Sequence, residues 1–287
     1  MQLGQPSRTA LATAYARAFH QIAGEPRIFT DPLAIQIIGV TPDQLADLDS
    51  AAEQEDDTDG TMRRRRRMFL AARARFAEET VADAVAAGTR QVVILGAGLD
   101  TFAYRNPHPD VRVFEVDHPD TQAWKRQQLD SARIAIPSSL TFTPVDFESQ
   151  TLAAGLAEAN FDRSRPAVFV WLGVVMYLTR ETILDTLRFV AGQATPVQVV
   201  FDYLYPASAS APEDAPERTA RADRVAAIGE PWLSFFTAEE IADLLRETGF
   251  DRVDDRDAPN LVAGYLGIPP RPSATVSPHV LCATRTE

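Results

Sequence analysis

Residues 92–105 read VVILGAGLDTFAYR. Val92 to Leu95 form an uncharged aliphatic run of strand length, the composition of a strand buried on both faces. It passes directly into Gly96-Ala97-Gly98, where the strand hands over to a helix. Glycines at such a turn let the backbone approach a ligand with no Cβ in the way.

Strand-length apolar runs recur downstream: VRVFEVD at 111–117, LTFTPVDF at 140–147, AVFVWL at 167–172 and VQVVFDYL at 197–204. Helical patterns at 119–132, 149–160 and 180–192 lie between them. That alternation predicts βαβ units and a mostly parallel sheet covered on both faces. The second strand ends in FEVD, so Glu115 and Asp117 stand about twenty residues after the first glycine, where an acid can accept hydrogen bonds from ribose hydroxyls. Asp146, in PVDF, is placed to accept the amino hydrogens of an adenine while Phe147 packs on the ring. The same aspartate could equally cap the next helix.

The glycine register continues to Thr101, whereas a dinucleotide fold wants a third glycine or alanine there. Asp100 also puts negative charge where a pyrophosphate would sit. S-adenosylmethionine has no phosphate and carries an ammonium and a sulfonium, so the acidic turn suits it better than NAD.

Outward from this centre, residues 8–23 have helical spacing, Gly24-Glu25-Pro26 marks a turn, and Asp31-Pro32 opens another short helix. Residues 43–59 carry eight acids and no base, the pattern of a solvated loop. Arg63 to Arg67 follow and lead into an amphipathic helix ending at Gly88; the arginines read as a charged face answering that loop. Residues 206–216 read as a loop or lid hinge, and 259–273 as a long Pro/Gly-rich connection over the site. Between them Thr237 and Glu240 form a capping box, and 251–256 and 279–285 are the last strand candidates. The expected division is an N-terminal helical cover with acidic loop over 1–89 and a cofactor-binding domain over 90–287.

The 287 residues carry a net charge of −12, which opposes binding to phosphate backbones or an anionic membrane. The single cysteine, Cys282, excludes an internal disulfide and a Cys-based zinc site, and no metal is expected. The N-terminus lacks a signal-peptide h-region and the longest apolar run, 167–178, is too short to span a bilayer. A cytoplasmic location is therefore expected.

The phrases RIFTDPLA (27–34), VVILGAGLDTFAYR, FEVDHPDTQAWKR (114–126), PVDF and WLGVVMYLT (171–179) together resemble the leucine carboxyl methyltransferase-like family of S-adenosylmethionine-dependent methyltransferases, in its actinobacterial and polyketide O-methyltransferase branch. The resemblance is close over residues 8–205 and looser beyond. It implies a Rossmann-like α/β fold: a seven-stranded, mostly parallel sheet with an antiparallel last strand and an N-terminal helical cover. It also implies an arginine before the first strand that grips the methionine carboxylate. Arg73 matches it best, with Arg75 as a possible substitute. Gly96 matches the family's glycine, Asp117 its ribose acid, and Asp146 with Phe147 its adenine pair. One position departs: Leu172 stands where relatives of the phosphatase methyltransferases carry a glutamate.

The expected cofactor contacts are Arg73, Gly96, Ala97, Gly98, Asp100, Asp117, His118, Asp146, Phe147 and Leu172. Around the acceptor the candidates are Trp171, Asp202, Tyr203, Tyr205, Trp232 and Tyr265, aromatic or polar residues at strand ends and in later loops. No catalytic base is evident; His20 and Tyr203 are the weak candidates. The expected activity is methyl transfer to oxygen on a small polyketide-like or aromatic acceptor, at a carboxylate or hydroxyl. A protein C-terminal carboxyl methyltransferase and a non-catalytic cofactor-binding module are the alternatives. The expected partner is the small-molecule acceptor, without nucleic acid or membrane, and a homodimer is left open.

Overall fold

A computed structural model describes residues 7–23, 25–47, 60–147, 149–206, 222–227, 229–272 and 277–287. Its centre is a seven-stranded sheet in the order β3-β2-β1-β4-β5-β7-β6. The strands are β1 (Gln91–Leu95), β2 (Arg112–Asp117), β3 (Leu140–Pro144), β4 (Ala167–Trp171), β5 (Val197–Tyr203), β6 (Arg252–Asp257) and β7 (His279–Arg285). The first five pair in parallel, and β7 runs antiparallel to both β5 and β6.

Every residue of β1 and β4 is buried, as expected of central strands covered on both faces. The edge strand β6, RVDDRD, is mostly exposed, and its charges discourage pairing with another chain. The described helices are α1 (Arg8–Ile22), α2 (Ala34–Ile38), α3 (Gly60–Ala86), α4 (Phe102–Arg105), α5 (Pro119–Ser131), α6 (Leu152–Glu158), α7 (Arg180–Ala191), α8 (Ala238–Glu247) and α9 (Ala258–Tyr265), besides short helical stretches at 42–47 and 222–227 and a 3-10 turn at Val175–Tyr177. Leu156 of α6, Ile183 and Leu187 of α7, and Ile241 and Leu245 of α8 fill one face of the sheet. Ala72, Val81 and Val85 of α3 and Leu261 of α9 fill the other. A third apolar cluster joins α1 and α2 to Leu99 of the glycine turn and Leu129 of α5, placing the N-terminal cover at the carboxyl ends of β1 and β2.

Local chemistry sets the helix starts. The side chains of Thr151, Thr179 and Thr237 accept backbone N–H bonds at the N-termini of α6, α7 and α8, and Glu240 completes the capping box at α8. The expected helix over 149–160 is trimmed accordingly to Leu152–Glu158.

One segment differs in kind from its reading. Residues 258–265, expected within a long connection, form α9 against α3. Asp257 caps α9, and Pro259 sits in the first turn, where proline starts a helix rather than breaking one. The solvated loop expected over 43–59 starts instead as helix, since residues 42–47 are helical and Leu45 is buried in the cluster of α1 and α2; its remainder, 48–59, and the lid-hinge residues 207–216 lie outside the described residues, as does Gly24.

Candidate functional site

The glycine turn lies at the carboxyl edge of β1. Gly96 and Gly98 have φ of 63° and 42°, in the left-handed region that favours glycine. A Cβ on Gly96 would collide with Val174 just beyond β4, and one on Gly98 would stand 3.3 Å from Ala10 Cβ on α1. The amides of Gly96 and Ala97 donate to Val116 O at 2.8 and 3.1 Å, tying the turn to β2. The Gly98 amide donates to Asp117 Oδ2 at 2.6 Å, and the His118 amide to Oδ1 at 2.7 Å. Burial pushes the Asp117 carboxyl upward, against the pull of these two amides. Because no side chain among the described residues bonds to Asp117, its carboxylate keeps acceptor capacity at the sheet edge.

His118 caps α5, its Nδ1 accepting from the Asp120 amide at 3.2 Å. Glu115, two residues before Asp117, is fully buried; its Oε2 accepts from Lys125 Nζ at 2.7 Å and from the Tyr104 hydroxyl at 3.1 Å. Burial raises its carboxyl pKa, while Lys125 opposes the rise. Of the two FEVD acids, only Asp117 reaches the cleft. Asp146 accepts from the Ser149 hydroxyl at 2.9 Å, and Thr151 rather than Asp146 caps the following helix. Phe147 beside it is 56% exposed, a large apolar ring turned to solvent.

Arg73 and Arg75 point to different faces of α3. Arg75 pairs with Glu79 at 2.7 Å and lies 4.2 Å from the Tyr265 ring centroid, away from the glycine turn. It cannot replace Arg73. The Arg73 guanidinium is buried, pairs through Nη1 with Asp202 Oδ2, and lies over Gly173, where a Cβ would stand 3.0 Å from Nη2. Asp202 Oδ1 accepts from the Gly173 amide at 2.5 Å. Expected at the acceptor, Asp202 is instead 1% exposed behind Arg73. Leu172 packs with the α3 side of the sheet and offers no polar atom beyond its backbone.

The cover is held by a buried ionic network that motif reading missed. Asp31, from RIFTDPLA, accepts from the Thr101 hydroxyl at 2.7 Å and lies 3.0 Å from Arg17 Nε on α1. Arg17 also donates to Leu99 O and approaches Asp100 at 3.8 Å. Arg105 donates to Thr101 Oγ1 at 3.0 Å and to Glu78 of α3 at 2.7 Å. Asp100 thus belongs to the network and accepts from the Phe102 amide at 2.7 Å. At the far end of α1, Glu230 accepts from the amides of Arg8 and Thr9 at 3.0 and 3.1 Å, a helix N-terminus capped in trans.

The aromatic acceptor candidates do not gather in the cleft. Trp171, 2% exposed, packs edge-on against Phe201 in the core. Buried Tyr203 donates to Asp255 at 2.7 Å and stacks near Tyr205 and His279, its hydroxyl held well above its ordinary pKa by burial and by Asp255. The Tyr205 hydroxyl accepts from the Ala238 amide at 2.8 Å. Tyr265, on α9, donates to Glu79 at 2.7 Å. Trp232 alone stays near the cleft, next to Leu233, whose amide donates to Met176 O at 2.7 Å beyond β4. His20 is buried on α1; burial first, then the charges of Arg67 and Arg27, lower its pKa to about 4. That makes it a weak base, and Tyr203 is sequestered from any acceptor.

One residue of the arginine run does face the site. Arg66 is seven residues before Arg73, two helical turns away and so on the same face of α3. Its side chain is exposed to solvent. Its guanidinium is an electrostatic neighbour of Arg73, Arg224 and Tyr177, the two cations acting to lower its pKa. The periodicity was the signal that could have found it. A separate cavity of about 470 Å³, lined by Phe29, Arg75, Glu79, Phe102 and His108 among others, contains none of the glycine turn, Asp117, Asp146 or Arg73.

A sheet of this order with one reversed strand, carrying a glycine turn and a strand-end acid at one edge, defines the class of Rossmann-like methyltransferases that use S-adenosylmethionine. The chain belongs to the leucine carboxyl methyltransferase family, whose model matches residues 10–191. It is 32% identical over 267 residues to YktD of Bacillus subtilis (strain 168), whose name places it among the S-adenosyl-L-methionine-dependent methyltransferases; 87% of this chain and 88% of that protein are covered. A similarly named protein of Mycobacterium ulcerans (strain Agy99) is 35% identical over 173 residues, covering 59% of this chain and 56% of its own length. Among solved structures, the CurJ carbon methyltransferase superposes with a TM-score of 0.53 at 15% identity, over 97% of this chain and 67% of that one. That last likeness concerns fold alone. The protein is an S-adenosylmethionine-dependent methyltransferase. Among the described residues no cluster of His, Cys, Asp and Glu could hold a metal ion, and no helix is long and apolar enough to cross a membrane.

Proposed function

We propose that the protein methylates a carboxylate oxygen of a small molecule, giving a methyl ester. The observation that carries this reading is Arg66. It is an exposed cation on the face of α3 that carries Arg73, close to Tyr177 and Arg224 and with no carboxylate partner among the described residues, in a chain whose net charge is −12. A local cluster of cations in an acidic protein suits an anionic acceptor. The same site offers no competent base: His20 is held near pKa 4, His118 caps a helix, and Tyr203 is buried against Asp255. A carboxylate is already ionised at neutral pH and needs none, whereas a phenol with a pKa of about 10 would gain from one.

The bound cofactor supplies an electrophilic methyl group on a positive sulfur. The protein's own residues bind, orient and exclude water. In this reading Asp117 accepts from the ribose hydroxyls, Asp146 and Phe147 hold the adenine, and Arg73 faces the methionine carboxylate. The Gly96–Gly98 turn admits the cofactor's backbone-close contacts. Arg66, Tyr177 and Trp232 line the acceptor's approach. The cover, held by Arg17, Asp31 and Glu230, keeps water from the transfer, so that the reacting atoms meet in a dry, aligned arrangement. A roof fastened in this way favours a small acceptor over a protein C-terminus.

Incubation with methyl-labelled S-adenosylmethionine and a panel of aromatic and polyketide-like acids and phenols tests the reading. Carboxylates are expected to take up label that mild base releases as methanol. Base-stable label on phenols would instead mean ether formation, and label on a protein C-terminus alone would overturn the small-molecule assignment.

A further inference from the structure

The node formed by Arg73, Gly173 and Asp202 is assembled from three elements far apart in sequence: α3, the turn after β4, and the end of β5. Trp171 pairs with Phe201 in parallel register, so Leu172 and Asp202 follow at the same level on neighbouring strands. Where the β4 side offers only the apolar Leu172, the chain's acid comes from the adjacent strand. Asp202 does not itself face a ligand. One carboxylate oxygen accepts from the Gly173 amide at 2.5 Å and the other pairs with Arg73 Nη1, and the residue is 1% exposed.

Gly173 completes the arrangement. Its φ of 74° is in the left-handed region, and a Cβ there would stand 3.0 Å from Arg73 Nη2 and 3.6 Å from Cζ. The guanidinium therefore lies against bare backbone, with Nη1 fixed by Asp202 and no partner for Nη2 among the described residues. Val174, the next residue, packs on Gly96, so this open edge of the guanidinium stands beside the glycine turn. Arginine presents its donors as a planar fork, and fixing one arm fixes the direction of the other.

We infer that Asp202 is a positioning residue for the amino-acid end of the cofactor: it locks Arg73 over Gly173 so that Nη2 meets the methionine carboxylate. This rests on the reading of Arg73 as a cofactor contact. The role is selective. A group acting through Arg73 affects ligands that carry the amino-acid moiety and leaves untouched those that have only the adenosine and thioether.

The test is calorimetric titration of the full-length protein with S-adenosylhomocysteine and with 5′-methylthioadenosine, which lacks the amino-acid end. Asp202→Asn keeps an acceptor for the Gly173 amide but removes the charge that holds Arg73. It is expected to raise the Kd for S-adenosylhomocysteine by about tenfold, the scale of one charge-assisted hydrogen bond, and to leave the Kd for 5′-methylthioadenosine within about twofold. Equal weakening of both ligands, or of neither, overturns the inference. Asp202→Asn leaves a buried cation unpaired, so the double variant Arg73→Gln/Asp202→Asn, which removes both charges together, serves if the single variant does not fold. The double variant is expected to lose the same selective affinity. Arg73→Gln separates the two layers of the argument. If it weakens S-adenosylhomocysteine while Asp202→Asn does not, the positioning role fails alone. If it too leaves that affinity unchanged, the assignment of Arg73 fails and takes the role of Asp202 with it.

Discussion

The two ends of the ligand edge are built differently. At the ends of β1, β2 and β3, the side chains singled out by motif stand at the surface of the cleft: Asp117 is bonded only by backbone amides, and Phe147 is largely exposed. At the ends of β4 and β5, Trp171, Tyr203 and Tyr205 turn into the core, and their place near the cleft is taken by residues of α3 and of the 229–236 segment. The first end is encoded locally, by a strand, a turn and the next strand within about fifty residues. The second is encoded by distant parts of the chain that meet only in the fold. A cofactor shared by a family suits the first kind of construction, and an acceptor that varies among its members suits the second.

The sharpest way to break this division is to remove Asp117, the acid proposed to hold the ribose. Asp117→Ala is expected to weaken S-adenosylmethionine binding by about 1–3 kcal/mol, the usual loss when bound hydroxyls lose an acceptor in a partly buried site. The Gly98 and His118 amides lose the same partner, so thermal denaturation without ligand must accompany the titration. Unchanged cofactor affinity in a folded Asp117→Ala protein would place the ribose elsewhere.

Arg66→Gln probes the other end. If Arg66 binds an anionic acceptor, KM for a carboxylate rises by about tenfold, since a charge-assisted contact of one guanidinium is lost, while cofactor affinity stays level. Arg64, two residues earlier and so on the opposite side of the same helix, is the matched control, and Arg64→Gln should change neither quantity. A fall in kcat with no change in KM would mean that Arg66 acts in the transition state rather than in acceptor binding.

Legibility in the sequence follows the same division. The β1–β5 order, the glycine turn and the capping box at Thr237 are local patterns, and each is found close to where it reads. Asp146 was ambiguous because a strand-end acid can cap a helix, and only the position of Thr151 removes that role. Asp202 misled because its residue type and strand end suit an acceptor contact, whereas a buried arginine from α3 needed it as counter-charge. The helix over 258–265 was hidden by Pro259 and Gly264, although an aspartate with proline two residues on, as at Asp257 and Pro259, is a helix start. Arg66 was hidden in a basic run read as one charged face, and the seven-residue spacing to Arg73 was the part of that run with structural content.

A last and smaller effect concerns the cover. His20 is buried in α1, its Nε2 has no partner among the described residues, and its pKa falls from 6.5 to about 4 because of burial and the nearby Arg67 and Arg27. The folded pKa lies below the unfolded one, so between these values the unfolded chain binds more protons. The stability that neutral His20 contributes is therefore fully present above pH 6.5 and is lost as pH falls through about 4. Over that window the slope approaches about 1 kcal/mol per pH unit. His20→Leu removes the titrating group while filling a similar volume. Urea denaturation across the window should then show a flatter acid limb for the variant, with cofactor affinity at neutral pH unchanged. Because His20 is on α1 and the sheet core is elsewhere, the lost stability should appear first in hydrogen exchange of residues 8–22, ahead of β1 and β4. An acid limb identical to that of the unmodified protein would mean that the imidazole is solvated at low pH without unfolding, and that the cover loosens independently of the domain beneath it.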